Sequence, residues 1–164
     1  MKPTLNDVCD YVIFRVCNGG SSLTELKLQK LLYYVQAWHL AFFGEPLFVQ
    51  RFQAWVHGPV CRAIYDRFGA TKSLYSTVTL EDIHPEFKPA SVAEQHRAHI
   101  DSVLEVYAGF TGTQLEEMTH QEGPWIAARR GYGDAQRCEI EIDEQLMRQH
   151  YTEKFQASQP SGGQ

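Results

Sequence analysis

Apolar side chains recur at helical spacing along most of the chain, and one segment is apolar on nearly every side. Between Ser22 and Phe43, apolar residues cover well over half of the helix circumference, and Gly44 follows as a helix terminator. The polar residues of this segment form a narrow strip: Glu25, Gln29, Gln36 and His39. Because a helix of this kind must be buried on most sides, the pattern predicts a central helix on which the others pack.

Polar capping residues mark the starts of the predicted helices. A serine or threonine followed three residues later by an acid or amide can satisfy two free backbone N–H groups, and a single aspartate can also cap a helix. The predicted caps are Thr4 with Asp7, Ser22 with Glu25, Ser91 with Glu94, Thr113 with Glu116, and Asp143 before the last helix.

Alternation of apolar and polar residues predicts two short strands, at residues 47–56 and 138–142, and a weaker third from Leu74. Residues 69–90 contain two prolines and little periodicity, which predicts a long loop. We therefore predict a mainly α fold with a minor β component: a single compact helical domain around one central buried helix, with a small β hairpin or ribbon. The domain is expected to span residues 1–155, with a disordered C-terminal tail at 156–164.

Two lysines interrupt the apolar surface of the central helix. Lys30 falls between Ala37 and Ala41 on the helical wheel, and Lys27 falls between Tyr34 and Trp38. An unpaired buried ammonium is costly, so two interpretations are open. Either each stem lies along the core while the amine snorkels to solvent or pairs with a carboxylate such as Glu116, Glu117 or Glu122, or the face around Lys27 is partly open and binds another protein.

Two Gly-Pro pairs are predicted to begin helices. Pro59 suits the first helical position, and Gly58 allows a sharp turn, so His57 would precede a helix N-terminus able to hold an anion. The same device recurs at Gly123-Pro124, three residues after His120. The two histidines could therefore meet in space. We favour hydrogen bonds to neighbouring backbone for both histidines over a catalytic role.

Composition narrows the functional classes. The 164 residues carry a net charge of −5, which argues against nonspecific nucleic-acid binding and is compatible with a basic protein partner. The four cysteines form no C-x-x-C pair and are predicted to be reduced and buried. The sequence shows no signal peptide and no apolar run of the roughly 20 residues that cross a bilayer, so a cytoplasmic protein without a membrane partner is expected.

The sequence offers few residues in patterns that indicate catalysis or metal binding. Cys61 and His57 could form a nucleophile–base pair, but no glycine loop precedes the cysteine to form an oxyanion hole. A metal site built from His57, His120 and Cys61 lacks dense ligand spacing, and the His96/His99 pair is predicted to lie on a solvated helix face. Phosphate-loop, dinucleotide, hydrolase and zinc-protease motifs do not occur. We therefore expect no enzyme, no cofactor and no metal.

Three segments in a fixed order resemble the Panacea domain, a family of phage-associated, GepA- or SocA-like proteins. They are LKLQKLLYYVQAWHLAFFGEPLF from Leu26, QAWVHGPVCRAIY from Gln53, and MTHQEGPW from Met118. The resemblance extends over roughly residues 5 to 155. It implies an antitoxin that binds and neutralises a toxin encoded nearby. Because the family-like helices occupy nearly the whole chain, no added DNA-binding segment and no nucleic-acid partner are expected.

The family motifs and the aromatic anchors together define the candidate toxin-binding residues. They are Lys27, Lys30, Tyr33, Trp55, His57, Gly58, Pro59, His120 and Trp125. Some of them are expected to be purely structural. Two other functions remain open: a proteolytic adaptor that delivers a bound toxin to an energy-dependent protease, with the tail as tether, and a small hydrolase using Cys61 and His57.

Overall fold

The longest helix runs from Glu25 to Phe43, and the remaining elements are arranged around it in the computed structural model, which describes residues 1–160. In chain order these elements are α1 (Leu5–Asn18), α2 (Glu25–Phe43), β1 (Phe52–Trp55), β2 (Gly58–Cys61), α3 (Arg62–Phe68), α4 (Glu94–Tyr107), α5 (Gly112–His120), α6 (Gly123–Ala128) and α7 (Glu144–Ser158), with 3₁₀ turns at Leu80–Asp82 and Pro89–Ser91. The predicted mainly α fold with a small β hairpin is confirmed.

Helix α2 is the hub of the core, as its sequence predicts. It packs against α1, α4, α5, α7 and β2. Leu28, Leu31 and Leu32 are completely buried, and burial of each such side chain contributes about 1.5–3 kcal/mol. The helix ends at Gly44, whose φ of +74° is left-handed and whose N–H donates to the carbonyl of Leu40 at 2.9 Å.

The polar strip of α2 is buried as well, and its two glutamines pair with backbone outside the helices. The Gln36 amide accepts from the N–H of Leu47 at 2.7 Å and donates to the carbonyl of Phe48 at 2.7 Å. The Gln29 amide accepts from the N–H of Cys61 at 2.8 Å and donates to its carbonyl at 3.2 Å. These glutamines provide hydrogen-bond partners for backbone N–H and C=O groups that would otherwise be buried without one.

Two of the predicted caps are confirmed, two lie at a shifted position and one is absent. Thr4 accepts from the N–H of Asp7, and Asp143 caps α7. Helix α2 is capped by Thr24, which accepts from the N–H of Lys27, and α5 is capped by Thr111, which accepts from the N–H of Gln114; each cap lies two residues from the predicted one. Helix α4 follows Ala93 without a side-chain cap, because Ser91 belongs to the preceding 3₁₀ turn.

The β structure is smaller than the sequence predicts. Of residues 47–56 only Phe52–Trp55 form a strand, which pairs antiparallel with β2. Residues 138–142 form a single bridge to β1 at Gln53, with the N–H of Ala54 donating to the carbonyl of Ile140 at 2.8 Å. The region from Leu74 likewise forms one bridge, between Thr77 and Thr24, so neither segment is a strand.

The last helix extends past the predicted domain boundary. Helix α7 runs to Ser158 and therefore includes the first residues of the segment 156–164 that was predicted to be a disordered tail. Residues 161–164 lie outside the described residues, and the prediction for them stays a prediction. Within residues 1–160 no helix combines the length and apolarity needed to cross a bilayer.

Replacing Gln36 by leucine tests whether side-chain hydrogen bonds from α2 stabilise the fold. We expect Gln36→Leu to lower the free energy of unfolding by about 2–4 kcal/mol, because it leaves a buried N–H and a buried carbonyl unpaired. Urea denaturation measures this loss. The exposed Gln149→Leu on α7 is the matched control and should change stability by less than about 0.5 kcal/mol. Equal effects of the two substitutions would contradict the assignment.

Candidate functional site

The first Gly-Pro pair lies in the hairpin, not at a helix start. Pro59 is the second residue of β2, opposite Ala54, and α3 begins only at Arg62. The prediction that Pro59 opens a helix is wrong because the chain stays extended through Cys61, whose ψ is 114°. His57 therefore sits in the tight turn between β1 and β2, not before a helix N-terminus.

Gly58 is required at this turn by both its conformation and its neighbours. Its φ is +97°, and a Cβ there would lie 2.6 Å from Cε of Lys30 and 2.9 Å from Oγ1 of Thr119. The close approach brings α2, α5 and the hairpin together at a single point. The same contact lets the Nζ of Lys30 donate to the carbonyl of Pro59 at 2.9 Å.

Lys30 is completely buried and is held by this carbonyl, and not by a direct bond to any of the predicted carboxylates. Burial lowers its pKa to about 7, against the opposing charges of Glu116 and Glu25. Glu25 is also completely buried, and neither carboxylate oxygen has a hydrogen-bond partner among the described residues. Burial raises the pKa of Glu25 to about 7. The charges of Lys30 and Glu25 attract each other inside the protein, but no hydrogen bond joins the two side chains.

Lys27 belongs to a different contact from Lys30. Its Nζ donates to the carbonyl of Ala108, the C-cap of α4, at 2.6 Å, and the residue is only 7% exposed. A cation at the carbonyl end of a helix is favourably placed in the field of the helix dipole. Lys27 is therefore held by a backbone carbonyl and not by one of the predicted carboxylates.

His57 reaches across to α5. Its Nδ1 lies 3.3 Å from Oε1 of Glu116, with the imidazole 44% and the carboxylate 19% exposed. The ring also lies near the exposed ring of Tyr75, at 6.3 Å between centroids. His57 therefore pairs with the side chain of Glu116 and not, as predicted, with neighbouring backbone. His57 is thus a candidate residue whose side chain is only partly buried.

The second Gly-Pro pair begins α6, as predicted, and positions an aromatic stack beside the hairpin. Pro124 lies in the first turn of α6. The rings of His120 and Trp125 are stacked with centroids 4.1 Å apart, and Nε1 of Trp125 donates to the carbonyl of Trp55 at 2.9 Å. The two histidine-bearing junctions therefore do converge, on the two sides of the β1–β2 turn. Burial lowers the pKa of His120, which favours a neutral ring.

A buried carboxylate network that the sequence did not reveal ties this junction to the core. Glu122, the N-cap of α6, accepts from the hydroxyls of Tyr34 at 2.7 Å and Tyr151 at 3.0 Å, and from Nζ of Lys154 at 2.9 Å. Tyr33, a candidate contact residue, lies inside the same aromatic cluster and is buried. The acid immediately before the Gly-Pro pair was the only local signal for this network.

Arg129 is the second unpredicted anchor. Its guanidinium is buried and donates to the carbonyls of Ala54 at 2.9 Å, Gly133 at 2.8 Å and Gln136 at 2.6 Å. It also stacks over Trp125, 5.2 Å from the ring centroid. Arg129 thereby fixes the loop after α6 against the hairpin.

Two concave surfaces flank these contacts. The first, which we name the hairpin groove, has a volume of about 360 Å³ and is lined by Trp55, Val56, His57, Arg62, Tyr65, Ala135, Arg137, Cys138 and Glu139. The second, the apolar patch, lies between α2, α4 and α7, has a volume of about 260 Å³, and is lined mainly by Trp38, Phe42, Val103, Val106, Tyr107 and Phe155. Only the hairpin groove includes candidate residues from the sequence.

The structure does not favour the two alternative chemistries, a cysteine nucleophile and a metal site. Cys61 is completely buried, and burial raises the pKa of its thiol, so the thiolate that a nucleophile requires is disfavoured. His96 and His99 are buried beside His39 instead of solvated, so the predicted solvent-facing pair is wrong. Spacing alone does not reveal which face a helix buries. Over residues 1–160 no group of three or more potential ligands is placed to hold a metal.

Substitution of Gly58 tests the three-element contact. We expect Gly58→Ala to lower stability by at least about 2–3 kcal/mol, because the methyl group adds a clash to an unfavourable left-handed φ. Gly131→Ala provides the control: its φ is +92°, but nothing lies within 4 Å of the added Cβ. That variant should lose about 1 kcal/mol. The midpoints of thermal unfolding compare the two, and equal losses would contradict the contact.

The buried histidines predict a loss of stability in mild acid. Burial lowers the pKa of His99 from 6.5 to about 4, while its Nε2 lies 2.9 Å from the carbonyl of Val35. The unfolded chain therefore takes up this proton first as the pH falls, and stability contributed by the neutral ring is lost from about pH 6.5 down to about pH 4. Between pH 6.5 and 5 this loss should be about 1.5 kcal/mol.

Urea denaturation at several pH values measures this dependence. His99→Gln keeps an N–H donor but cannot titrate, so its stability should fall less between pH 6.5 and 5 than that of the parent chain. The exposed His84→Gln is the control and should retain the parental slope. An unchanged slope in His99→Gln would contradict the assignment.

Comparisons with known proteins identify the family of this chain. The family described as "Antitoxin SocA-like, Panacea domain" matches residues 28–126, which include nearly all of α2, the hairpin, α5 and the start of α6. Antitoxin SocA of Caulobacter vibrioides (strain NA1000 / CB15N) is 28% identical over 148 residues, covering 85% of this chain and 78% of that protein. No solved structure matches the chain significantly. The family match covers more than half of the sequence, and the chain therefore belongs to the Panacea-domain family of SocA-like antitoxins.

Proposed function

We propose that this protein is an antitoxin that neutralises a cognate toxin, encoded nearby, by direct stoichiometric binding. The observation that carries the proposal is the family match over residues 28–126, which spans the elements that converge on the hairpin. Binding would cover the working surface of the toxin or hold the toxin in an inactive state. The chain would take part without a cofactor and without catalysis.

The chemistry of the hairpin region supports binding more than turnover. Its best candidate nucleophile, Cys61, is completely buried. The accessible groups nearby are instead Trp55, Tyr65, Arg62 and Arg137. Tryptophan, tyrosine and arginine are the residue types that most often dominate the binding energy of protein interfaces.

The candidate residues divide by burial into two roles in this proposal. Lys30, Tyr33, Gly58 and Pro59 are buried and would shape the turn without touching a toxin. Trp55 and His57 reach the hairpin groove and would contact it.

The three remaining candidates, together with Arg129, would support the fold around this surface. His120 and Trp125 stack against each other beside the turn, Arg129 fixes the following loop, and Lys27 holds the end of α4. The proposed contact surface is therefore the hairpin groove, with the rest of the family motif serving to hold its shape.

Co-expression with the product of the adjacent open reading frame tests the function. The parent chain should relieve growth arrest and co-purify with that product in a fixed ratio. Trp55→Ala should weaken binding by about 2 kcal/mol, roughly 30-fold, and His57→Ala by a smaller amount. His84→Ala, an exposed histidine that does not line the groove, is the matched control and should bind normally.

Each variant is compared with the parent by thermal unfolding, so that loss of binding is separated from loss of fold. Relief of arrest without any complex would contradict direct neutralisation. Relief that requires both an energy-dependent protease and residues 156–164 would favour the proteolytic adaptor.

A further inference from the structure

We infer that the toxin adds an extended segment, carrying a lysine or arginine, to the open side of the hairpin sheet at residues 139–141, which we name the sheet edge. The inference rests on the proposed function, because the partner is taken to be the toxin. It names the kind of contact, main-chain hydrogen bonds along a strand, and the charge of the segment that makes them.

One side of the small sheet is covered by the fold and the other is open. Helix α2 covers the outer side of β2, since Gln29 bonds both backbone groups of Cys61 and Lys30 bonds the carbonyl of Pro59. On the opposite side, residues 138–142 lie along β1. No further strand pairs with them in the part of the chain that the structure describes.

The hydrogen bonds to β1 determine which groups the sheet edge presents. The N–H of Ala54 donates to the carbonyl of Ile140, and the N–H of Ile142 donates to the carbonyl of Phe52, both at 2.8 Å. In an antiparallel pair, the residue between two such bonds directs its own N–H and C=O away from the partner strand. Glu141 is that residue, and neither of its backbone groups has a hydrogen-bond partner among the described residues.

The side chains of the sheet edge alternate as those of a strand do. Cys138 and Ile142 are buried, whereas Glu139 and Glu141 are exposed. Ile140 shares the period of the buried residues but is 47% exposed, so it offers an apolar contact at the edge. An added strand would therefore bond the backbone of Glu141 and cover Ile140 at the same time.

Glu141 determines the charge of the strand that fits best. The neighbouring carboxylates are already paired, Glu139 with two arginines and Glu144 with Arg51. Glu141 is exposed and forms no ion pair with any other described residue. Residues directly opposite each other in adjacent strands have Cβ atoms about 5 Å apart, so a lysine or arginine opposite Glu141 would be stabilising.

The same glutamates disfavour a second copy of this chain as the occupant. A two-fold dimer formed through this edge would pair the two copies antiparallel. Each register in which the two edges overlap places a glutamate of one copy opposite a glutamate of the other, because the outward-facing residues are Glu139 and Glu141. Like charges directly opposite each other are destabilising. The edge therefore resists self-association and remains open to a strand that carries a cation.

The sheet edge is continuous with the proposed contact surface. Cys138 and Glu139 line the hairpin groove. Farther along the same segment, a second concave surface of about 720 Å³ adjoins Glu141 and Ile142. A toxin held at the groove would thus have space to place an extended segment along the edge.

Amide hydrogen exchange followed residue by residue by NMR tests the added strand. The amide of Glu141 should exchange rapidly in the free full-length chain and at least tenfold more slowly in the complex with the product of the adjacent open reading frame. The amide of Ile142, which bonds the carbonyl of Phe52, is the internal reference and should be protected in both states. Equal exchange of the Glu141 amide with and without that product would overturn the inference.

Substitutions at position 141 separate the main-chain contact from the charge. Glu141→Pro removes the charge and an N–H that bonds nothing in the chain, so its unfolding midpoint should stay near the parental value while the product binds at least tenfold more weakly. Glu141→Gln keeps the N–H and should weaken binding about two- to fivefold. Glu117→Gln changes an exposed acid on α5 and is the matched control, which should bind like the parent.

Unchanged binding by Glu141→Pro would contradict the main-chain contact. If that variant does not fold, hydrogen exchange in the parent chain decides the question. Slower exchange of the Glu141 amide as the concentration of the chain alone rises would assign the edge to a second copy and overturn the inference of a toxin strand.

Peptide probes separate failure of this inference from failure of the proposed function. If the neighbouring product is held while the Glu141 amide stays unprotected, the added strand is wrong and direct neutralisation stands. If the parent holds no such product, direct neutralisation fails, and eight-residue peptides of alternating Lys and Val or of alternating Glu and Val, blocked at both ends, test the edge alone. The Lys peptide should slow exchange at Glu141 at least threefold more than the Glu peptide, and equal effects would overturn the inference.

Discussion

Side chains of one buried helix supply the hydrogen bonds that hold the rest of the structure. A two-stranded hairpin is only marginally stable alone, and β1 gains a single further bridge from residue 141. Helix α2 compensates with Gln29, which binds both backbone groups of Cys61, and with Lys30, which binds the carbonyl of Pro59. The groove therefore depends on the core for its shape, because α2 anchors β2, and β2 in turn pairs with β1, which carries Trp55.

The anchoring of the hairpin by α2 requires two buried ionisable groups, and their burial has an electrostatic cost. Lys30 and Glu25 are completely buried five positions apart on α2, and burial moves the pKa of each toward 7. Removing two such groups from water is expensive unless the gain in structure is large. The gain here is the close approach at Gly58, where the stem of Lys30 fills the space that any larger residue would need. A leucine at position 30 could fill that space but could not bind the Pro59 carbonyl.

The sequence predicts elements whose determinants are local, and misses contacts that depend on tertiary pairing. The central helix follows from its own periodicity, and its end follows from Gly44. Pro59 is misassigned because local rules favour proline at a helix start, whereas pairing with Ala54 keeps the chain extended.

The same limit applies to the site. The convergence of His57 and His120 could be anticipated from the repeated Gly-Pro pattern, but their partners could not, because Glu116 and Trp125 depend on how α5 and α6 pack. Residues 138–142 alternate cleanly, yet most of this segment finds no strand to pair with. Glu122 and Arg129 were unpredictable as anchors, since the partners of both come from distant parts of the chain.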